Sequence, residues 1–282
     1  MSKPVRKVVI AGNWKMHKTR KEGRELAEKI KAAVSAEKDL PEIILIPTFT
    51  GLQEIASCIG KGPIALGAQN MDYHDSGAYT GEISPPMLVD LDVKYVLIGH
   101  SERRQHFGET NQTVNLKVKA ALAHGLKPIL CVGESLDERE SELTDRVVGR
   151  QVAAALAEVE EKHLSDLIVA YEPVWAIGTG KNCEPGEADR VAGVIRSTIA
   201  RLYLPADQKG GKADLSKSGV DMLPVLYGGS VKANNIEAQL KQENIDGALV
   251  GGASLIAEEF IAMIKAGQKR LQERSRQATA AL

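Results

Sequence analysis

Eight short apolar segments recur along the chain, and longer charged segments with apolar residues at helical spacing separate them. The apolar segments lie at 5–16, 42–48, 64–71, 94–100, 126–134, 167–173, 223–230 and 246–255. Short apolar runs are typical of buried strands, whereas apolar residues three or four positions apart are typical of amphipathic helices. Their alternation predicts parallel strands joined by helical crossovers, and eight such units can close into a (β/α)8 barrel of the α/β class.

The domain organisation follows from the same pattern. A length of 282 residues suits one barrel domain over residues 1–282, with its core at about 5–265. The segment 205–222 is polar and rich in glycine and lysine, so we expect a surface insert between the sixth helix and the seventh strand. Residues 268–282 form a C-terminal tail, which we expect to fray from residue 272 onwards.

Composition and charge argue against some classes of binding partner and indicate a cellular compartment. Lys and Arg number 36 against 37 Asp and Glu, so the net charge of −1 gives no reason to expect a nucleic acid or an anionic membrane. The three cysteines are scattered without metal-ligand spacing, which is typical of a reducing compartment. No apolar segment reaches the length of a membrane span. We therefore predict a cytoplasmic protein.

Polar residues and glycines stand at the ends of the apolar segments, where a barrel carries its active site. Side chains alternate between the two faces of a strand. If the small or branched residues that precede them point inwards, Lys15, His100 and Glu172 meet over the barrel mouth. Those preceding residues are Ala11 and Asn13, Val96 and Ile98, and Ile168 and Ala170. Singly, each of the three has an ordinary explanation, such as a solvated lysine, a packed histidine or a carboxylate paired with arginine. Together they favour a site.

Paired glycines end the seventh and eighth segments, in "YGGS" (227–230) and "VGGAS" (250–254). Glycines let backbone N–H groups approach an anion closely, and a following helix adds its positive end. Each pair alone could be a simple turn. Two pairs at these two positions predict a phosphate site. The six histidines show no metal-ligand spacing and no nucleotide-binding loop is present, so we expect neither a metal nor a cofactor.

Six motifs, "GNWKM", "GAQNMDYHDSGAYTGEISP", "GHSERR", "YEPVWAIGTGK", "YGGSV" and "VGGASL", resemble those of the triosephosphate isomerase family, in the same order, over about residues 5–265. The resemblance implies a TIM barrel that interconverts dihydroxyacetone phosphate and D-glyceraldehyde 3-phosphate without a cofactor, in glycolysis and gluconeogenesis. It implies Glu172 as the base, His100 as the electrophile, Lys15 as the stabilising cation and Glu102 as its support.

The resemblance also implies the binding residues. Asn13 and Lys15 would contact substrate, and Gly178, Ser230, Gly251 and Gly252 would surround the phosphate. Thr80 and Glu82 would lie in a loop that enters the partner subunit of a homodimer. Cys183 and Glu184 depart from the residues that the family usually carries after the lid, which puts the stiffness of that side of the lid in question.

An aldose–ketose exchange needs a base and a group that stabilises enolate charge. We expect Val174, Trp175 and Ile177 to form a lid that excludes water and raises the pKa of Glu172. Ser101 resembles the N-cap of a short helix, whose positive end would lower the pKa of His100.

Three other functions remain open at this point. The first is a phosphate-binding barrel isomerase of amino-acid biosynthesis, which would use a carboxylate pair or an acid–thiol pair. The second is a glycosidase with Glu134 and Glu172 as its acid pair. The third is a barrel that binds without catalysing, against which the intact set of Lys15, His100 and Glu172 argues.

Overall fold

The strands come from a computed structural model that describes residues 5–178, 182–203 and 220–280. All eight predicted strands are present within the predicted segments. They are β1 Val9–Asn13, β2 Glu42–Ile46, β3 Ile64–Ala68, β4 Tyr95–Ile98, β5 Lys127–Val132, β6 Ile168–Tyr171, β7 Val225–Tyr227 and β8 Gly247–Val250. They run parallel in chain order, and β8 pairs with β1 to close the barrel. The prediction of a (β/α)8 barrel is confirmed.

Ten helices surround the barrel within the described ranges. They are α1 Arg20–Val34, α2 Leu52–Ile59, α3 Pro85–Asp90, α4 Ser101–His106, α5 Asn111–Ala123, α6 Leu136–Glu140, α7 Thr144–Ala155, α8 Pro185–Tyr203, α9 Ile236–Leu240 and α10 Ala257–Ala280. Helix α1 shows how the sequence sets a boundary, because Thr19 and Glu22 form a reciprocal capping box at its start. None of the helices described is long and apolar enough to cross a membrane.

Two apolar layers follow from the alternation of side chains along each strand. One layer fills the barrel, and in β1 and β6 it contains Ala11 and Ala170. The other packs between the barrel and the helices, and in β4 it contains Val96 and Ile98. The condition that these two residues point inwards is therefore not met, because the inward residues of β4 are Tyr95 and Leu97.

The C-terminal tail is ordered further than the sequence indicates. Helix α10 continues through Ala280, so the prediction of fraying from residue 272 is wrong for the residues described. Arg274 explains the difference, since it is 9% exposed and its Nη2 donates to the carbonyl of Ile245 at 3.0 Å. A buried contact of this kind fixes a segment that exposed polar residues alone would leave free.

Asp246, the residue before β8, pairs with three arginines. Its carboxylate pairs with Arg196 from α8, with Arg6 from the segment before β1 at 2.9 Å, and with Arg274 from α10 at 2.8 Å. Nη1 of Arg274 lacks the alignment of a hydrogen bond, so this third contact is an ion pair. The fully buried Asp246 therefore ties both ends of the chain to the seam where β8 meets β1.

The predicted insert overlaps the described residues at one end only. Residues 205–219 lie outside them. Val220–Met222 forms a short 3-10 helix in which Val220 is fully buried, and Arg196 donates to the Val220 carbonyl at 3.2 Å. The last residues of the predicted segment therefore belong to the packed barrel, because the loop must rejoin β7 through the apolar layer beneath α8.

Candidate active site

A cavity of about 480 Å³ opens at the carboxyl ends of the strands. Asn13, Lys15, His100 and Glu172 line it on one side. This is the face on which parallel barrels carry their sites, because the strand ends and the loops that follow them are free of core packing. The three residues predicted to converge therefore share one cavity.

Glu172 enters the cavity directly after β6. Ile168 and Ala170 fill the barrel below it, as the period of two predicts, and Glu172 is 2% exposed. Its Oε2 accepts the backbone N–H of Ser101 at 3.0 Å. Its Oε1 lies 3.0 Å from Nε2 of His100. The carboxylate is thus held on the side of the cavity formed by the loop after β4.

Two glycines make room for Glu172. A Cβ atom on Gly133 would lie 1.7 Å from the carbonyl oxygen of Glu172, and a Cβ atom on Gly228 would lie 2.9 Å from its Cγ. Neither approach is possible for another residue without displacing the strand end. The glycine after β7 therefore shapes the wall of the cavity around the carboxylate.

His100 reaches the same cavity by a turn and not by strand alternation. Gly99 has a positive φ of 78°, which rotates the chain out of the phase of β4. His100 is then the N-cap of α4, and its Nδ1 accepts the N–H of Glu102 at 3.2 Å. The prediction of Ser101 as N-cap is therefore wrong by one residue. Because Nδ1 accepts this bond, Nε2 is the nitrogen that faces Glu172 with a proton.

The pKa shifts of Glu172 and His100 differ from the predicted shifts. Burial favours a neutral Glu172, but the imidazole of His100 and the N–H of Ser101 outweigh it, so the pKa of Glu172 lies below its usual value. Burial also disfavours a charged His100, but the carboxylates of Glu172 and Glu102 outweigh it and raise the pKa of His100. Both shifts run opposite to the predicted ones, because the prediction included burial and the helix end but not the contact between the two groups.

Lys15 is fixed by its backbone in an uncommon conformation. Its φ is 51°, its N–H donates to Oδ1 of Asn13 at 3.0 Å, and its carbonyl accepts from Nε2 of Gln69 at 2.8 Å. Its Nζ donates to Oε1 of Glu102 at 2.5 Å. The structure thus brings together four residues, Asn13 and Lys15 from the end of β1 and the turn after it, and His100 and Glu102 from the start of α4.

The glycine-rich end of the cavity is lined by Gly178, Ser230, Gly251 and Gly252. They follow β6, β7 and β8, so all four residues that were predicted to surround a phosphate line the same cavity. Gly178 has a positive φ of 71°, which glycine adopts without strain. The second glycine of the motif "YEPVWAIGTGK", Gly180, lies outside the described residues.

The start of the predicted lid is held by a buried carboxylate. Val174–Ala176 forms a short 3-10 helix, and Nε1 of Trp175 donates to Oε1 of Glu134 at 2.9 Å. The hydroxyl of Tyr171 donates to the same oxygen at 3.1 Å. Glu134 is fully buried, and burial raises its pKa.

The position of Glu134 bears on the glycosidase alternative. It does not line the cavity that contains Glu172, because it lies on the opposite face of the strand end with Tyr171. The two carboxylates therefore do not form an acid pair across one cavity. Nor does a cysteine line this cavity among the described residues, which argues against an acid–thiol pair.

The far side of the lid is anchored despite its unusual residues. Cys183 is buried, its N–H donates to the Tyr227 hydroxyl at 3.1 Å, and its carbonyl accepts from Nε2 of Gln239 at 3.1 Å. Glu184 precedes α8 and its carbonyl accepts the N–H of Ala188 at 3.0 Å. Two backbone hydrogen bonds thus fix the chain at Cys183.

Sequence reasoning missed several contributors to the site. The N–H of Ser101 and the carboxylate of Glu134 act through contacts between residues far apart in the sequence, for which no local signal exists. Lys232 and Glu259 also line the cavity and were not among the predicted residues. Lys232 follows "YGGSV" directly, so its position after a predicted phosphate loop was an available signal. Within residues 5–178, 182–203 and 220–280, no cluster of His, Cys, Asp or Glu could hold a metal ion.

Comparison with known proteins agrees with this geometry. A sequence model of the triosephosphate isomerase family matches residues 8–267. The chain is 50% identical over 260 residues to the triosephosphate isomerase of Caldanaerobacter subterraneus subsp. tengcongensis, which covers 92% of this chain and 99% of that protein. It is 46% identical over 260 residues to the protein of that name from Clostridium botulinum (strain ATCC 19397 / Type A), with the same coverage.

A third relative, the triosephosphate isomerase of Synechococcus sp. (strain JA-3-3Ab), is 47% identical over 264 residues, which cover 92% of this chain and 95% of that protein. The matching region spans all eight strands and every predicted catalytic residue, whereas residues 268–282 lie beyond the family match. A match of this extent and identity makes the chain a member of the triosephosphate isomerase family of isomerases.

Proposed function

We propose that the protein interconverts dihydroxyacetone phosphate and D-glyceraldehyde 3-phosphate through an enediolate, with Glu172 as the base. The observation that carries the proposal is the convergence of Glu172, His100 and Lys15 on one cavity whose other end is rich in glycine. The cavity thus offers a proton acceptor, two groups for oxygen atoms and a place for a phosphate.

Glu172 would remove a proton from one carbon and return it to the neighbouring carbon. In the arrangement observed, its carboxylate is occupied by Ser101 and His100. The substrate must therefore draw the carboxylate away from these donors before the base can reach a carbon. Release from two hydrogen bonds also raises the basicity of the carboxylate, since those bonds stabilise its charged form.

The same movement would free His100 for the substrate. Its Nε2 would then face an oxygen of the substrate and stabilise the charge that develops there, while the ammonium of Lys15 supplies fixed positive charge. Glu102 holds Nζ of Lys15 at 2.5 Å and is therefore a positioning residue. Asn13 has a second role beside contact with the substrate, because its side chain bonds the backbone of Lys15.

The backbone N–H groups at Gly178, Ser230, Gly251 and Gly252 would hold the phosphate. The absence of side chains at the glycines allows the anion to approach the backbone closely. Val174, Trp175 and Ile177 would close over the bound substrate, exclude water and protect the enediolate from losing its phosphate.

A coupled assay with D-glyceraldehyde 3-phosphate tests the reaction. We expect rapid formation of dihydroxyacetone phosphate by the wild type and its loss in Glu172→Gln, with Glu134→Gln folded and far less impaired. No turnover by a folded wild type would overturn the proposal and favour a binding function. Turnover of an aminated or sugar-phosphate precursor of an amino acid instead would favour the biosynthetic alternative.

We also propose a homodimer in which Thr80 and Glu82 contact the partner subunit. Both residues are exposed, in a loop between β3 and α3. Exposed apolar side chains follow each of the four adjacent strands β1 to β4: Met16, Phe49, Tyr79 and Phe107. An apolar face of this kind is typical of an interface between subunits. Light scattering that shows a fully active monomer at micromolar concentration would contradict the dimer.

The family supports a role in glycolysis. Because isomerisation is reversible, we extend the proposal to gluconeogenesis and to a cytoplasmic location, where both substrates would be supplied. Assays in both directions, together with fractionation of cells that express the protein, test these two points. Turnover in one direction only, or recovery of the protein with membranes, would contradict them.

A further inference from the structure

Within the part of the chain that the structure describes, two charged side chains line the cavity beyond the catalytic residues, and both belong to the loops at its glycine-rich end. Lys232 is exposed and stands two residues after Ser230. Glu259 is half-buried in the first turn of α10, and its Oε2 accepts the N–H of Ala233 at 3.0 Å. The carboxylate is therefore held beside the residue that follows Lys232.

The side chain of Asn235 holds the backbone of the loop around Lys232 in place. Its N–H donates to Oδ1 of Asn235 at 2.9 Å, and its carbonyl accepts the N–H of Asn235 at 3.2 Å. Nδ2 of Asn235 in turn donates to the carbonyl of Ser230 at 3.0 Å. Asn235 thus joins the backbone of Lys232 to that of Ser230, which also lines the cavity.

The ammonium groups of Lys232 and Lys15 differ in their ion pairing. Lys15 is the other lysine that lines the cavity among the described residues, and its ammonium is paired with Glu102 at 2.5 Å. The ammonium of Lys232 has no ion pair or hydrogen bond with any residue of the described part of the chain. The protein carries a net charge of −1, so no general positive field attracts an anion to this end.

We propose that Lys232 and Glu259 set the affinity of the cavity for the phosphate of its substrate, Lys232 by attraction and Glu259 by opposing it. This inference rests on the proposed function, since it takes a triose phosphate as the ligand. Lys232 would meet the dianion at the cavity rim and hold it against the backbone N–H groups. Glu259 would weaken that hold, which favours release of the product.

Steady-state kinetics of three variants test the inference. Lys232→Met should raise KM for D-glyceraldehyde 3-phosphate by about fivefold, the range of an exposed ion pair, and the change should shrink in high salt. Glu259→Gln keeps an oxygen that can accept the N–H of Ala233 but removes the charge, so KM should fall. Lys241→Met, an exposed lysine that does not line the cavity, is the matched control and should match the wild type.

A truncated substrate separates the phosphate from the reacting carbons. With glycolaldehyde the effect of Lys232→Met should disappear, and it should return when inorganic phosphite is added as a separate piece. An inactive wild type would overturn the proposed function and this inference with it. An active wild type whose KM is unchanged in Lys232→Met, or whose KM rises in Glu259→Gln, would overturn this inference alone.

Discussion

Nε2 of His100 lies 3.0 Å from Oε1 of Glu172, and both side chains are almost fully buried. Burial is the largest single influence on the pKa of each group, and the contact acts against it, because a charge on either group stabilises the opposite charge on the other. It also joins the end of β6 to the start of α4 across the cavity mouth. The pH behaviour of the free enzyme therefore depends on this pair and not on burial alone.

Replacement of His100 by Gln should raise the pKa of Glu172. The wild-type pKa lies below the usual value, and removal of the imidazole leaves burial to act with less opposition. A titration of the Glu172 carboxyl carbon by NMR, assigned by its loss in Glu172→Gln, measures the shift. A carboxyl that titrates at the same or a lower pH in His100→Gln would contradict the assignment of cause.

The same shift has a consequence for stability. A carboxylate with a lowered folded pKa stabilises the fold above its unfolded pKa, and that contribution is lost as the pH falls through the folded pKa. In acid, the wild type should therefore lose more stability than Glu172→Gln, which has no proton to take up. Urea unfolding between neutral and acidic pH compares the two proteins.

Glu172→Asp tests how closely the base must be placed. The shorter side chain keeps the charge but withdraws the carboxylate by about 1 Å, and a misplacement of that size costs on the order of 10²-fold in rate. We expect kcat to fall by that factor with little change in inhibitor affinity. Unchanged turnover would remove Glu172 from the mechanism. Glu134→Asp is the control, since Glu134 does not line the cavity.

Lys15→Met should weaken the binding of a phosphorylated enediolate mimic by about 10²-fold, the cost of losing a strong hydrogen bond to a charged group. The fold should persist, because Lys15 lies at the cavity mouth with its side chain partly exposed. Calorimetric titration gives the affinity, and Lys21→Met on the exposed face of α1 is the control. Equal affinities in the two variants would refute the electrostatic role of Lys15.

Arg274→Leu should destabilise the protein by about 1–3 kcal/mol. The change removes one of the three arginines that surround the buried Asp246 and the bond to the Ile245 carbonyl. Arg276→Leu, two residues further along α10 and exposed, should have little effect. Urea unfolding of the two variants decides the matter, and equal midpoints would show that the tail does not anchor the barrel seam.

The sequence by itself determined the number and order of the strands and pointed to Lys15, His100 and Glu172 at the cavity, although not to Lys232 or Glu259. Apolar runs of strand length alternate with helical patterns, and that information is local. The inward placement of Glu172 also followed from local information, because β6 keeps its alternation up to the residue that enters the cavity.

Only the tertiary structure decided the face of β4 and the state of the His100–Glu172 pair. Both faces of β4 are apolar, since one meets the barrel interior and the other meets the helices, so alternation could not assign the inward residues. His100 enters the cavity through the positive φ of Gly99. Ser101 and Glu172 are 71 positions apart in the chain, and Arg274 meets Asp246 only after the barrel closes. Contacts between distant positions set proton affinity and anchor the tail, and such contacts exist only once the chain has folded.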